Sequence, residues 1–436
     1  MDLKQVLGDL DKESYVDLLS NVIGEAKFVQ NNPPDLIPEE DRVSKHVMDV
    51  LKPYSTSTGE PLIIKHVSYV NGRGNIIVEY PGSDEDKVVS FVGSHMDVVP
   101  ANPDQWDFDP FSLSIDGDQL RGRGTTGCLG HVALLTQLMK RLAEKKPKLK
   151  STVVAVFIAN AENSTIPGIG VDQLWEDGYL DRLKQGPLYW IDTADKQPCI
   201  GTAGVIYWTI QATGKLFHSG LPNKAINSME LLMEAFKVIQ SRFYEDFPPH
   251  PKEQEYKFET PSTMKPTQWS YPGGGINQIP ADCTIFGDVR LTPFYETSDV
   301  MKKLQEYVDD INENIENLPT RGPVSKYVLP DENLKGKLTL SFVAGLMPGI
   351  ACNLDSHGYR VLYDATKEVV GSVTPFSITA SLPLVRELQD QGYDVQLIGY
   401  GLMDTYHANN EYCLLSDMSQ GFEVFASIIS RLENDN

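Results

Sequence analysis

Cysteine is scarce and unpatterned in this chain of 436 residues. Cys128, Cys199, Cys283, Cys352 and Cys413 stand apart, with no CxxC pair among them. An odd, scattered set argues against a disulfide framework and predicts reduced thiols in the cytoplasm. Long hydrophobic runs are lacking as well. The longest strongly apolar stretch, residues 153–159, falls far short of the roughly 20 residues that cross a bilayer. Basic excess is absent: 38 Lys and Arg face 60 Asp and Glu, a formal charge of −22. A surface of that sign repels phosphates, so neither nucleic acid nor an anionic membrane is expected as a partner. The opening MDLKQVLGDLDKES is polar and acidic, unlike a secretory signal or an Arg-rich transit peptide. Internal repeats and low-complexity tracts are missing too. What remains is ordinary globular material, 41% hydrophobic and 22% charged. At about 150 residues per domain, the length predicts two or three domains.

Amphipathic periodicity predicts helices near residues 15–23 and 42–51, with the Pro-broken loop NNPPDLIPEE between them. The runs NIIVEY (75–80) and VVSFV (88–92) have strand character, and the second ends at the polar cluster Ser94, His95, Met96, Asp97. A Gly-rich turn, RGRGTTGCLG (121–130), opens a helix over 131–144. STVVAVFIA (151–159) is apolar throughout and β-branched, the pattern of a buried parallel strand, and ends at Asn160, Ala161, Glu162, Asn163. A short strand over 188–191 ends at Asp192. Buried strands that each deliver polar side chains at the carboxyl end form the ligand edge of an open α/β sheet. After Gly201 the texture changes. An alternating strand (205–212), KLFHSGLP, a helix (226–243), strands near 276–280 and 284–291 and a helix (298–315) follow in turn. That β-α-β-β-α order suits a small α+β module. The linker LPTRGP (318–323) returns the chain to a strand at 395–400, the segment TYHANNEY and a helix from 417. The predicted architecture is a discontinuous α/β domain of residues 1–203 and 321–436, interrupted by an α+β module of residues 204–320.

Taken singly, each polar cluster says little, because a histidine at a strand end is more often a hydrogen-bonded core residue than a ligand. Their order is more specific. SHMDVVP, GRGTTGCLG, NAEN, Asp192 and YHANNE together resemble the metallo-amidohydrolase family of acetylornithine deacetylase and succinyl-diaminopimelate desuccinylase, over residues 12–432. STMKPTQW, GDVRLTPFY and GPVSKYVLPDENL resemble its plant-type branch. The resemblance implies a zinc-aminopeptidase-like α/β/α catalytic domain with an inserted lid that builds a dimer. It also implies a two-zinc amidase, with His95 and Asp192 on one metal, Glu162 and His407 on the other, and Asp97 orienting His95. His218, in HSGLP, is implied to reach the partner subunit's site and steady the reaction oxyanion. Asp97, Glu162 and His218 are thereby the candidate catalytic groups. Asn277 and Arg290 match substrate-binding positions, a guanidinium fork suiting a carboxylate.

Two positions depart from the family pattern. Its bridging carboxylate falls at Gly127, and its general base falls at Ala161. Glycine has nothing to ligate with, alanine cannot take a proton from water, and a general base alone is worth about 10²–10⁴ in rate. On that ground the leading expectation is a diverged acetylornithine deacetylase-like protein. It would act on an amine- or amide-bearing small molecule without a normal two-zinc site, in plant specialised nitrogen metabolism. The alternatives are a weak one-metal N-acetylornithine (N-acyl-amino-acid) deacetylase and a non-catalytic ligand-binding protein. No cofactor is expected at full occupancy, and at most one weakly held zinc, cobalt or manganese. The expected partners are a small molecule and a second copy of the chain, a heterodimer with an active paralogue being the other assembly open to it.

Overall fold

The computed structural model describes residues 2–163, 165–324, 326–343 and 346–435. They form two units: Met1–Ile200 with Cys352–Phe376 and Leu382–Asn436, and Gly201–Ala351 with Ser377–Ser381. In chain order, after a short helix over Leu3–Leu7, the first unit holds helices α1 (Lys12–Ile23) and α2 (Asp41–Leu51) and strands β1 (Ile63–Ser68), β2 (Gly74–Tyr80) and β3 (Val88–His95). Helix α3 (Leu129–Lys145) and strands β4 (Thr152–Ile158), β5 (Pro187–Ile191) and β6 (Cys199–Gly201) follow. The second unit holds β7 (Gly204–Thr213), α4 (Ser228–Asp246), β8 (Thr263–Ser270), β9 (Asp282–Leu291), α5 (Thr297–Glu313) and β10 (Lys337–Phe342). The chain then returns with α6 (His357–Val370), β11 (Phe376–Ser377), β12 (Asp394–Ile398) and α7 (Leu415–Asn434).

The larger sheet runs β1-β2-β4-β3-β5-β12-β6-β11. Its middle is parallel: β3 pairs with β4 and β5, and β12 pairs with β5. Every residue of β3, β4 and β5 is buried, as the continuous apolar runs require when both faces of a sheet are covered. Phe91 on β3 packs on Tyr189 of β5 and on Phe425 of α7, which in turn meets Tyr400 edge-on. Fully burying one such apolar side chain is worth about 1.5–3 kcal/mol. The parallel strands therefore share one carboxyl edge, held by a core that forms whatever that edge carries.

The second unit is an antiparallel sheet of order β8-β9-β7-β10. Burial alternates residue by residue along β9, and its apolar face joins α4 and α5 in a separate core around Trp208, Phe236 and Leu304. One boundary differs from the sequence expectation. The sequence pattern places residues from 321 in the first domain, yet β10 pairs with β7 from Lys337↔Thr213 to Phe342↔Trp208. The unit therefore runs on to Ala351, and its fourth strand is the short alternating run KLTLSF, whose pattern is weak without its neighbour. Among the described residues no helix is long and apolar enough to cross a membrane.

Candidate metal and active site

His95 closes β3, and a bulge aims it. The register shifts between Val92 and Ser94, where Gly93 has φ +92° and any Cβ would stand 2.4 Å from the Trp190 indole. The ring Nδ1 donates to the Asp97 carbonyl at 2.8 Å and to its carboxylate Oδ1 at 3.1 Å. Nε2 is left facing Glu162 Oε1 and Asp192 Oδ1, each 3.5 Å away. Glu162 Oε1 also meets His407 Nε2 at 3.0 Å. Residues from two strand ends and two loops thus meet at one point: His95, Glu162, Asp192 and His407.

A buried polar network sets the loop that carries Glu162. Asp97 accepts the backbone N–H of Ala161 at 3.1 Å and of Glu162 at 2.9 Å, together with the Asn31 amide at 2.9 Å. Asn160 sits in the left-handed region at φ +55°, a conformation asparagine tolerates better than most residues. Its N–H donates to Glu40 Oε2, and its Oδ1 accepts from Arg73 and Asn31. Arg73 and Glu40 form a two-armed ion pair at 2.8 and 3.0 Å, with Glu40 wholly buried and Arg73 only 3% exposed. On the opposite side, Glu411 Oε2 accepts the N–H groups of Gly124, Thr126 and Gly127, and Oε1 takes Arg123.

These contacts shift the local acid–base chemistry. Burial alone would raise Asp97, but His95, Asn31 and the Glu162 N–H outweigh it and hold the carboxyl at about 2. Burial opposes the charged form of His95, yet Cys128, Asp192 and Asp97 push it well above its ordinary value. His407 is raised too, Glu162 overcoming burial, while burial raises Asp192 and pushes the Cys128 thiol to about 12. His131 is a core residue instead: burial lowers it to about 3, and its Nε2 accepts the Tyr400 N–H.

The donor set suits a cation. Three carboxylates, Asp97, Glu162 and Asp192, surround two imidazoles, and with Nδ1 committed to Asp97 the His95 Nε2, facing two carboxylate oxygens, is the atom that a cation would engage in place of a proton. Zinc bonds of 2.0–2.1 Å in a tetrahedron place neighbouring donors about 3.3 Å apart. Here the separations are 3.0 to 3.5 Å. Among the described residues no three such donors are arranged around one point to hold an ion, so the fit lies in the chemistry of the donors and not in a formed coordination site. At Gly127 a Cβ would meet His407 at 3.6 Å and Glu411 at 3.8 Å, ordinary contacts, so the position is roomy as well as empty of a ligand.

The remaining candidates lie in the second unit. His218 accepts the Gly220 N–H through Nδ1, which puts the proton on Nε2, and it pairs across two short strands with Gln278, beside Asn277. Arg290 on β9 spends its Nε on Asp288 at 3.1 Å. Sequence reasoning missed Tyr406, Glu411, Asn31, Glu40 and Arg73. Only the first two carried any local signal, by sharing the segment TYHANNEY with His407.

Residues 91–431 match the family described as Peptidase family M20/M25/M40. The chain is 71% identical over 432 residues to an acetylornithine deacetylase of Arabidopsis thaliana, covering 99% of this chain and 98% of that one. Human carnosine dipeptidase 1 shares the fold at TM-score 0.71 and 18% identity, over 99% of this chain and all of that one. A Bacillus subtilis protein described as a dinuclear metal binding peptidase of the M20 family does so at 0.61 and 14%, over 97% and 99%. These relatives correct one expectation. A site without cofactor at full occupancy does not fit a chain so close to an acetylornithine deacetylase, in a family with dinuclear metal-binding members. The physical reason is that Gly127 removes one donor, whereas the imidazoles and carboxylates that attract a cation remain.

Proposed function

We propose, since the chain belongs to peptidase family M20/M25/M40 and is an acetylornithine deacetylase-like amidohydrolase, that it hydrolyses the acetyl amide of N-acetylornithine or a close N-acyl amino acid. The identity of 71% across essentially the whole chain carries this reading. It displaces a repurposed, non-hydrolytic reaction, which rested on two positions alone, in favour of the deacetylase alternative. His95, Glu162, Asp192 and His407 are the residues that would hold the metal, with Asp97 fixing the His95 tautomer. A bound zinc, cobalt or manganese ion supplies a Lewis acid for the acyl oxygen and a water of lowered pKa. Arg290, with its Nε engaged, keeps its outer nitrogens for the substrate carboxylate, and Asn277 lies beside His218 to share the reaction oxygens. With alanine at 161 no side chain there accepts the water's proton, so turnover is slow.

The test is ornithine release from N-acetylornithine by the purified protein, before and after a chelator and after adding zinc back. Slow turnover that disappears with the chelator and returns with zinc is expected. Zinc-loaded protein that releases no ornithine and no other amino acid from N-acyl substrates would overturn the proposal.

A homodimer belongs to the same proposal, with His218 serving the partner's site. Tyr207, Trp269, Tyr271 and Ile276 of the second unit are large and exposed, so apolar surface is available there to a second copy of the chain. Sedimentation should give about 97 kDa, twice the 48.5 kDa of one chain. A mass near 48.5 kDa at micromolar concentration would count against it.

A further inference from the structure

We infer that Tyr406 is a positioning residue of the metal site, its hydroxyl holding the Asp192 carboxylate and its ring holding His407. The inference rests on the metal-dependent reading above. The Tyr406 hydroxyl donates to Asp192 Oδ1 at 2.9 Å. That oxygen is the one facing His95 Nε2 at 3.5 Å. The ring of Tyr406 lies against the ring of its neighbour His407, centroids 4.5 Å apart and planes 31° from parallel. One side chain thus touches two candidate ligands that are far apart in sequence.

An aspartate's terminal torsion is broad and roughly two-fold, so a buried carboxylate without a fixed donor can turn either oxygen to the cation. The phenol removes that freedom by occupying one lone pair of Oδ1 and leaving the rest of the carboxylate for the ion. His407 has the complementary need. Its backbone is left-handed at φ +59°, unusual for a residue with a Cβ, and the tilted phenol ring against it restrains its imidazole.

Removing a hydrogen-bonding partner of a metal ligand typically costs about 10- to 100-fold in metal affinity. Full-length wild type, Tyr406→Phe, Asp192→Asn and the double variant are stripped of metal, and each is titrated with zinc against a competing chelator. Visible spectra of the cobalt(II)-loaded proteins are recorded alongside. Tyr406→Phe is expected to weaken zinc 10- to 100-fold and to shift the cobalt bands, and to cost little more in the Asp192→Asn background, because both changes act through one carboxylate. Zinc bound as tightly by Tyr406→Phe as by wild type overturns the inference, as does an equal loss in both backgrounds. Wild type that takes up no zinc overturns the metal reading itself, and this inference with it.

Discussion

Restoring both departed side chains, Gly127→Asp with Ala161→Glu, is expected to speed N-acetylornithine hydrolysis by about 10²–10⁴ at saturating zinc. The backbone is ready for both. Gly127 does not need a left-handed φ, a Cβ there has ordinary contacts only, and its N–H stays on Glu411. Ala161 is oriented by its own N–H bond to Asp97, which no side chain disturbs. The two changes act in order. Gly127→Asp alone should raise zinc stoichiometry with little gain in rate, since the proton acceptor is still missing. Ala161→Glu alone should do less, because a base has nothing to activate without a well-held ion and its water. Two more carboxylates also crowd an anionic cluster, at about 1–4 kcal/mol per pair of unit charges 4 Å apart. The metal-free double variant should therefore melt below wild type and gain more from zinc. Elemental analysis beside steady-state kinetics decides it. A double variant with wild-type rate and wild-type zinc content would show that these positions do not limit the reaction.

Arg73→Met is expected to cost about 3–5 kcal/mol of stability at pH 8, because it strands Glu40 as an unpaired charge in the interior. The Glu40 carboxyl is pushed to about 7 by burial even with Arg73 beside it, and losing the guanidinium moves it higher. A carboxyl raised above its unfolded value contributes stability below that unfolded value, and loses it as pH climbs through the folded one. The penalty should accordingly be smaller at pH 5.5 than at pH 8. Pairing Arg73→Met with Glu40→Gln removes the charge as well and should recover most of the loss. Urea unfolding at both pH values reads the effect. An unchanged midpoint for Arg73→Met at pH 8 would mean the ion pair is dispensable. Asn160 leans on both members of the pair, so the variant should also loosen the loop bearing Glu162.

The parallel strands are legible in the sequence because burial on both faces demands unbroken apolar runs, and the polar residues ending them stand out by contrast. That contrast is what singles out His95, Asp97, Glu162 and Asp192 along the chain. Exposed edge strands are not legible. IIKHVS of β1 mixes charge into a half-exposed edge, and TMKPTQWS of β8 buries only Met264 and contains a proline. The supporting residues are hidden for a different reason. Glu40, Arg73, Asn31 and Glu411 gain their meaning from partners 33 to 288 residues away, a range at which no periodicity reports. Tyr406 shares a segment with His407, but a tyrosine beside a histidine has no distinctive spacing that would mark its role.

The place of β12 has a consequence for how this chain comes off the ribosome. It fills the gap between β5 and β6, strands that emerge before the whole of the second unit. Until residue 398 is synthesised, one edge of β5 has no hydrogen-bonding partner, and the apolar side chains of Leu188, Tyr189 and Trp190 beside it lack their cover. The second unit, by contrast, has all four of its strands once Phe342 is made. Between residues 342 and 398 a nascent chain therefore carries the four paired strands of the small module beside an open, adhesive edge on the larger sheet. A message truncated between β5 and β12 leaves that edge open for good, and its product should aggregate instead of forming a shortened enzyme.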